Sequence, residues 1–582
     1  MTRLVETDLR PIRAESDRML RRITGLLRGP ADLDPPRGHR DDPSWWSGAT
    51  GVGLVTLTIQ IAMAVWAYEH KLTYSFGDSL SHMTIARRLW DSPNPGLSQL
   101  GTTWLPLPHI FFSIGSLWMW AWRTGVGGSV FTIVCGVTTA VALYRIAQRT
   151  GVGSAGGWIA AMVIAVNPSW SYLSAVPMTE PFSVAFTCLT VAGLLGWSTS
   201  KRPYSAGMTA LFCGLPAAAD VLSRFEGWGF VALTSVFVAI VSYQRFGWTA
   251  IMRRQLLAFI LPPALAVFWW FVFNWTVFGS PLEFANGTYS SRSLIAPFAA
   301  LGLVYGKGSL PAALALYGRD VLDIVGSVVI VTALVGLAAT FIKWRGLRQE
   351  LWLSLIGLGV FIVASIDLGQ IYIRLPQMIP YGIENSRYGT ELLPFLAVAA
   401  AQVLRFIPDR LTLPVRRSLE RWGAALVIVA CSAGWTAGLA NGSMPANALT
   451  VLEAKANTSA GISQRRLATW LHQNATTGYI VLDETMFPVV PLIGLDLHRV
   501  IVTSAGRVYR NLLRHPNLIT WVAVKPGDKK DQVWATLHHD KVLGTLFYPV
   551  AAFRSFVVYK QVAPAQQPPP NSLLPGTIRA TS

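Results

Sequence analysis

Long apolar stretches recur along this chain between residues 49 and 439, and no other feature constrains the fold as strongly. An α-helix needs ~20 mostly apolar residues to cross the hydrocarbon core of a bilayer, and eleven stretches approach or exceed that length. They are 49–68, 129–144, 155–173, 182–197, 206–222, 228–243, 256–278, 321–342, 351–366, 389–404 and 422–439. Charged residues make up only 13% of the chain, against about 25% in soluble domains, which argues against a soluble enzyme. We therefore predict a polytopic α-helical membrane protein with about eleven transmembrane helices.

A further apolar stretch, 104–122, is ambiguous, and the distribution of basic residues decides its place. If it does not cross and the polar tail 1–47 lies inside, the inside segments hold 24 Lys and Arg, and the outside loops before residue 441 hold ten. Cytoplasmic loops are the ones enriched in Lys and Arg, which favours this arrangement. We expect 104–122 to be a re-entrant or juxtamembrane helix in a large first outside loop, 70–127. The net charge of +18 is then explained by the basic residues of the inside segments, and no nucleic-acid partner is expected.

The chain changes character after residue 440. Short β-rich runs alternate there with helical patterns, the runs at 479–483, 500–503, 519–524 and 553–559 and the helices at 463–473 and 532–538. This alternation predicts a soluble α/β domain over 441–562, followed by a disordered end, 563–582. With the cytoplasmic tail 1–47 and a membrane domain 48–440, the expected location is the plasma membrane, with the C-terminal domain outside. The four Cys lie in apolar runs without metal-ligand spacing, so no disulfide framework is expected.

Two acidic residues on the outside face are candidates for catalysis. Asp78 follows the first apolar stretch and precedes an amphipathic pattern, so it is either a helix N-cap or a carboxylate that faces a cavity at the membrane surface. Glu180 lies between Pro177 and Pro181 in a tight outside turn, where it is either a solvated carboxylate or a second acid at the depth of Asp78. The two interpretations of Asp78 are compatible, because a capping side chain has a second oxygen.

Basic and aromatic residues in other outside turns are candidates for substrate binding. Arg224 and Glu226 share one short turn, and Arg387 and Tyr388 lie where an outside loop returns to the membrane. Each arginine is either a snorkelling or ion-paired side chain or a clamp for a phosphate at the headgroup level, which guanidinium binds bidentately. Two histidines of the first outside loop are either structural residues or additional hydrogen-bond donors, namely His82 and His109.

The order of these motifs resembles the GT-C superfamily, the polytopic glycosyltransferases that use polyprenyl-phosphate sugars, such as protein O-mannosyltransferases and the aminoarabinose transferase. The Gly-Asp-Ser at Asp78 is similar to the family's acidic first outside loop, and Pro106 begins a stretch like its juxtamembrane helix. The Thr-Glu-Pro turn at Glu180 resembles the second acidic loop, and the turns at Arg224 and Arg387 resemble later basic turns. The resemblance covers roughly residues 48–440.

The chain departs from the family pattern at two positions. Many members have two adjacent acids in the first loop, whereas Asp78 is followed by Ser79, which weighs against metal binding there. Some members have Lys before the proline of the juxtamembrane helix, where this chain has Leu105, so that either His109 substitutes or a phosphate contact is lost.

The resemblance implies an inverting transfer of a sugar from a polyprenyl-phosphate donor to an acceptor outside the cytoplasm, which is a glycan, lipid or protein. Asp78 would be the general base, and Arg224 and Arg387 would stabilise the leaving phosphate. Glu180 would orient the acceptor or hold a divalent metal; no other cofactor is implied. Membrane lipids are the remaining partners. A non-catalytic scaffold with an outside binding domain and a secondary transporter are the alternatives, and a transporter would need ionisable groups at mid-membrane.

Overall fold

The computed structural model describes residues 48–201, 204–287, 290–440, 448–485, 488–539 and 541–562. The predicted tails 1–47 and 563–582 lie outside these residues. The helices begin with α1 Ala49–Glu69, α2 Gly77–Arg88, α3 Leu107–Gly115, α4 Met119–Thr124, α5 Val126–Ala147, α6 Gly153–Ala165, α7 Pro168–Leu173 and α8 Glu180–Thr199. They continue with α9 Ala206–Thr209, α10 Leu215–Val221, α11 Glu226–Phe246, α12 Ala250–Phe278, α13 Glu283–Asn286, α14 Ser291–Ala300, α15 Leu310–Val325 and α16 Ser327–Ile342. After these come α17 Ile356–Asp367, α18 Leu393–Ala401, α19 Leu413–Ala440, α20 Leu449–Ala460, α21 Ile462–Asn474, α22 Val490–Ile493, α23 Arg507–Arg514, α24 Gln532–His539 and α25 Val542–Thr545.

Six helical segments among the described residues are long and apolar enough to cross a membrane, namely α1, Val126–Ala165, α8, α11, α12 and Ser386–Phe406. The bent pair α15 and α16 would make a seventh, and two shorter apolar segments are Ala206–Val221 and Leu351–Asp367. The predicted number of eleven is therefore not confirmed, although these helices support a location in a membrane. The count falls partly because Val126–Ala165 contains the predicted span 129–144 and the first part of the predicted span 155–173. A π-helical turn joins them at Gly151, whose φ is +86°.

The predicted span 321–342 is wrong at its start. Helix α15 already begins at Leu310 and ends at Val325, and the axis bends by 108° before α16. The bend is at Gly326, whose φ of +84° suits a residue without Cβ. Because apolar residues continue across the glycine, the sequence alone reads as one straight helix.

The stretch 104–122 folds as two short helices, α3 and α4. Helix α3 has nine residues and is therefore about 13 Å long, less than half the ~30 Å of a bilayer core. Trp118 and Trp120 are largely exposed, as expected of side chains at a membrane interface. The geometry agrees with a juxtamembrane layer and not with a crossing.

Several basic residues of the predicted cytoplasmic loops bind carbonyl groups near helix C-termini. Arg345 Nη1 donates to the Thr150 carbonyl just after α5, and Arg348 Nε donates to the Ser198 carbonyl in the last turn of α8 (3.0 and 3.1 Å). These carbonyls have no partner within their own helix, and the negative end of the helix dipole favours a cation. Arg405 forms a fully buried two-pronged ion pair with Glu350 (2.8 and 3.0 Å).

The C-terminal region contains a five-stranded sheet with the order β2-β1-β3-β5-β4. Its strands are β1 Ile480–Leu482, β2 Val500–Val502, β3 Trp521–Val524, β4 Phe547–Phe553 and β5 Phe556–Gln561. The first three positions in the sheet are parallel, and β5 pairs antiparallel with both β3 and β4. Each predicted β-rich run contains or overlaps a strand, whereas β4, an edge strand interrupted by a bulge near Pro549, was not predicted from the sequence.

This sheet packs against the predicted first outside loop. Leu80 and Met83 of α2 share one hydrophobic core with Trp122 of α4 and with Val500 of β2. Arg88 Nη1 also donates to Glu484 Oε2 after β1 (3.3 Å). The C-terminal region therefore lies against the helix that carries Asp78.

Candidate active site

Asp78 lies in the first turn of α2, but it does not cap the helix. The N-cap residue is Phe76, whose backbone is extended, and Ser79 Oγ donates to the Phe76 carbonyl (2.7 Å). A carboxylate in the first turn still interacts favourably with the helix dipole. The Asp78 side chain is 34% exposed and accepts a hydrogen bond from Arg387 Nη2. The N-cap interpretation of Asp78 is therefore wrong.

Glu180 is the first residue of α8 and is fully buried. The following Pro181 fixes the backbone at a position where its missing N–H leaves no hydrogen bond unmade. Glu180 Oε1 accepts from Arg224 Nη1 (3.1 Å) and lies 2.9 Å from Arg387 Nε. One carboxylate oxygen thus joins two guanidinium groups.

Arg224 is held on several sides in the turn before α11. Nη1 also donates to Thr179 Oγ1 (2.9 Å), and Nη2 donates to Glu226 Oε1 (2.6 Å). Burial works to lower the pKa of the guanidinium, but the charges of Glu226 and Glu180 outweigh burial and raise this pKa well above its usual value. Arg224 therefore stays positively charged between the carboxylates of Glu180 and Glu226.

Arg387 links Glu180 to Asp78. Its guanidinium touches both Asp78 and Glu180 and lies 5.4 Å from the centre of the Phe76 ring. The Tyr388 ring lies between the two arginines, 5.6 Å from the Arg224 guanidinium and 5.7 Å from that of Arg387. The structure therefore brings six predicted residues into one cluster: Asp78, Glu180, Arg224, Glu226, Arg387 and Tyr388.

The two predicted histidines form a buried pair beside this cluster. His82 Nδ1 lies 3.0 Å from His109 Nε2, and the His82 ring packs edge-on against Trp104. Burial lowers the pKa of His82, and the charges of Arg387 and Arg224 lower it further. Burial likewise lowers the pKa of His109, and the charge of Arg88 lowers it further. Both rings are therefore neutral near pH 7 and can donate hydrogen bonds without adding charge.

Sequence reasoning missed Glu391, one turn after Arg387. Its side chain is fully buried, and its Oε1 is 3.9 Å from Arg224 Nε. Neither of its oxygens has a hydrogen-bond partner among the described residues. An acid inside the apolar run 389–404 was the available signal, because ionisable residues at membrane depth usually face a functional interior.

Glu453, on α20, was also missed. Its Oε1 accepts from the Asn385 backbone N–H (2.8 Å). Its Oε2 accepts from the Ser386 backbone N–H and hydroxyl (3.0 and 2.7 Å). Burial raises the pKa of Glu453, although the charge of Arg387 and these hydrogen bonds favour the ionised form. No local pattern links residue 453 to residue 385, so only the folded chain reveals this clamp on the turn that carries Arg387.

A metal does not fit at Glu180, where the resemblance suggested one, nor between Glu180 and Asp78. Arg387 lies between Asp78 and Glu180 and touches both, so a cation already occupies the space that a shared metal would need. No group of three His, Cys, Asp or Glu within the described ranges is placed to hold an ion. We derive no step through a metal.

No protein-family model and no curated protein matches the chain. Among solved structures, ArnT from Cupriavidus metallidurans bound to undecaprenyl phosphate matches with 14% identity and a TM-score of 0.48, covering 89% of this chain and 99% of that one. The Archaeoglobus fulgidus oligosaccharyltransferase tethered with an acceptor peptide matches with 12% identity and a TM-score of 0.45, covering 83% and 70%. AglB of the same organism, in complex with an inhibitory peptide and a dolichol-phosphate, matches with 13% identity and a TM-score of 0.43, covering 82% and 70%. These proteins are GT-C glycosyltransferases, the class that the sequence resembles.

Proposed function

We propose that this chain is an inverting glycosyltransferase that moves a sugar from a polyprenyl-phosphate donor to an acceptor outside the cytoplasm. The observation that supports the proposal is the ion pair between Asp78 and Arg387 at the open side of the buried cluster. In this pair a partly exposed carboxylate lies against a guanidinium. The proposed reaction needs a proton acceptor at the acceptor hydroxyl and a cation at the leaving phosphate.

The donor phosphate competes with Asp78 for Arg387. A guanidinium binds phosphate oxygens bidentately, and the phosphate gains charge as the bond to the sugar breaks. When Arg387 turns to the phosphate, the lone pairs of Asp78 are released to accept the proton of the acceptor hydroxyl. Binding of the donor and activation of the base are thereby coupled through one side chain.

The reaction is a single displacement. The acceptor oxygen attacks the anomeric carbon while its proton passes to Asp78, the carbon–oxygen bond to phosphate breaks, and the electron pair leaves with the prenyl phosphate. Attack from the face opposite the leaving group inverts the sugar carbon. Arg387 and the neutral His82 donate hydrogen bonds at the phosphate end.

Glu180 serves in this proposal as an anchor for the two arginines. It is fully buried and shares one oxygen between Arg224 and Arg387, so an acceptor has no access to it. This differs from the role in binding acceptor or metal that the resemblance implied. The proposed topology keeps residues 1–47 in the cytoplasm and 441–562 outside as a separate domain.

The test is Asp78→Asn, assayed in lipid nanodiscs with a polyprenyl-phosphate sugar and quantification of the released prenyl phosphate. Loss of the proton acceptor should reduce transfer by roughly 10²–10⁴-fold. Donor binding should persist, because Arg387 remains. The matched control is Asp323→Asn, which also removes a carboxylate that is ion-paired with an arginine, in this case Arg319. Wild-type transfer by Asp78→Asn would remove Asp78 from the base role.

A further inference from the structure

Three arginines form a basic stripe along α23, the helix that follows β2. Arg507, Arg510 and Arg514 are three and four residues apart, and this spacing places them on one face of the helix. All three are exposed, and no ion pair joins any of them to an acid among the described residues. With a rise of 1.5 Å per residue, the basic stripe is about 10 Å long. It therefore presents a row of unpaired positive charges to solvent.

The opposite face of α23 is not available to a membrane. It carries Val508, Tyr509 and Leu512, which are buried in the core on one side of the sheet. A helix that inserts into a bilayer interface needs an exposed apolar face beside its basic face. No large apolar side chain is exposed in the described segment 488–539. The basic stripe is therefore suited to a hydrophilic anion and not to a helix that inserts among lipids.

Membrane topology does not account for this charge. Residues 441–562 contain 13 Lys and Arg against seven Asp and Glu. An excess of Lys and Arg orients short cytoplasmic loops, but the proposed topology places these residues outside, and a long domain crosses largely regardless of its charge. A surface with a net positive charge attracts polyanions, which gives the excess a use in binding.

Lys529 adds a further exposed cation at the same edge of the sheet. Strands β2 and β3 lie on either side of β1 and parallel to it, so their carboxyl ends share one edge and are about 10 Å apart. Helix α23 begins five residues after β2, and Lys529 follows β3 by five residues. Ligands of open parallel sheets bind at this carboxyl edge.

The basic stripe begins near the helix that carries Asp78. Ser504 lies three residues before Arg507, and its Oγ donates to Glu484 Oε2 (2.6 Å). The same oxygen accepts from Arg88 Nη1 at the end of α2 (3.3 Å). Asp78 is ten residues before Arg88, which corresponds to about 15 Å along the axis of α2. A polymer bound at the basic stripe is therefore long enough to reach the proposed base.

We propose that the basic stripe binds an anionic glycan, a polymer of sugars that carry carboxylate or phosphate groups. Guanidinium groups bind both of these anions bidentately. The inference rests on the proposed function and assigns to it an acidic polysaccharide as the acceptor. The basic stripe holds this polymer at a distance from the hydroxyl that reacts at Asp78.

The test is the double variant Arg510→Gln with Arg514→Gln, as the full chain in nanodiscs of phosphatidylcholine. Fluorescent polygalacturonate is the anionic probe and fluorescent dextran the neutral one, and binding is measured without donor at several salt concentrations. We expect the wild type to bind polygalacturonate and not dextran, with an affinity that falls as salt screens the charges. The double variant should lose roughly 5- to 30-fold in affinity, because a basic residue near an anionic surface contributes a factor of about five.

Two control variants separate the effect of charge from an effect on the fold. Arg510→Lys with Arg514→Lys keeps both charges and should retain most of the binding, although it loses the planar forks. Lys455→Gln with Arg466→Gln removes two exposed cations from α20 and α21 and should leave binding unchanged. All of these substitutions are at exposed positions, so the unfolding temperature should stay near that of the wild type.

The proposal would be overturned by no binding of polygalacturonate, by equal binding of dextran, or by equal binding to the glutamine double variant. Displacement of polygalacturonate by phosphatidylglycerol vesicles would assign the basic stripe to a membrane surface instead. Tighter binding of a single-stranded oligonucleotide with the same number of charges would assign it to nucleic acid.

The proposed function and this inference can fail separately. Asp78→Asn should bind polygalacturonate as the wild type does, because Asp78 lies outside the basic stripe. Wild-type transfer by Asp78→Asn would refute the proposed base and leave the glycan-binding surface standing. Failure of polygalacturonate to bind, together with loss of transfer in Asp78→Asn, would refute this inference alone.

Discussion

Glu453→Gln tests whether the C-terminal region controls the active site through the turn before Arg387. Glu453 is 2% exposed, and its two oxygens accept three hydrogen bonds from Asn385 and Ser386. Glutamine keeps the size of the side chain but replaces one acceptor oxygen with an amide donor. Whichever way the amide is oriented, an N–H group then faces at least one buried backbone N–H.

The magnitude follows from that lost pairing. A buried backbone donor without a partner costs about 1–3 kcal/mol, and water cannot replace the carboxylate oxygen at this depth. If this energy appears as displacement of the turn, transfer should fall by roughly 10- to 100-fold, because ~1.4 kcal/mol corresponds to a factor of ten. Burial raises the pKa of Glu453, so its protonation should reproduce the glutamine effect as the pH falls and contribute to the acid limb of the rate profile.

Two measurements check this prediction. Hydrogen exchange of the amides in 383–392 should become faster in Glu453→Gln, whatever substrate the chain uses. The rate of prenyl-phosphate release should fall, and the acid limb of its pH profile should shift to lower pH. Lys455→Gln, an exposed change on the same helix, is the matched control. Unchanged exchange together with an unchanged rate would show that Glu453 does not position Arg387.

Three further predictions concern the guanidinium of Arg387, the packing of two helices and the C-terminal region. Arg387→Lys keeps the charge but loses the planar fork, so donor binding should weaken at least severalfold in a titration with prenyl phosphate; an unchanged affinity would exclude a phosphate role. Gly336→Ala should lower the unfolding temperature, because its Cβ would lie 1.8 Å from the Ala399 carbonyl oxygen and overpacking costs about 1–3 kcal/mol, whereas Gly318→Ala, with open space, should be neutral or stabilising. Burial raises the pKa of Asp531 to about 6, so its ionisation between pH 4 and 6 should destabilise the start of α24 as the pH rises; Asp531→Asn should remove this pH dependence of amide exchange in α24.

The sequence predicted which turns meet, because every second connection of a helical membrane protein lies on the same side. Asp78, Glu180, Arg224 and Arg387 fall in such connections, and the structure places their side chains in contact. Their chemical roles remain predictions. The strands β1, β2 and β3 could also be predicted from the sequence, because each is a short run rich in β-branched residues between helical patterns.

Features that depend on distant partners could not be predicted. The contact of Glu453 with Ser386 spans 67 residues, and the match of a carboxylate to the end of a turn leaves no local pattern. The bend at Gly326 could not be predicted from hydropathy, because the hydropathy of a segment does not depend on the direction of the helix axis. The resemblance assigned Glu180 to an acceptor or a metal, but the side chain is fully buried and two guanidinium groups offset the cost of burying its charge.

The two arginines of the site, assigned one role from the sequence, differ in what binds them. Arg224 is paired with Glu180 and Glu226, both buried carboxylates, so moving it would strand two charges away from water. Arg387 is paired on one side with Glu180 and on the other with Asp78, whose side chain is 34% exposed and can regain water when the pair opens. In the proposed mechanism a phosphate would therefore displace the Asp78 contact more easily than any contact of Arg224. In the proposed mechanism Arg387 is the guanidinium that moves to the leaving group, and Arg224 is the fixed charge that holds Glu180 in place.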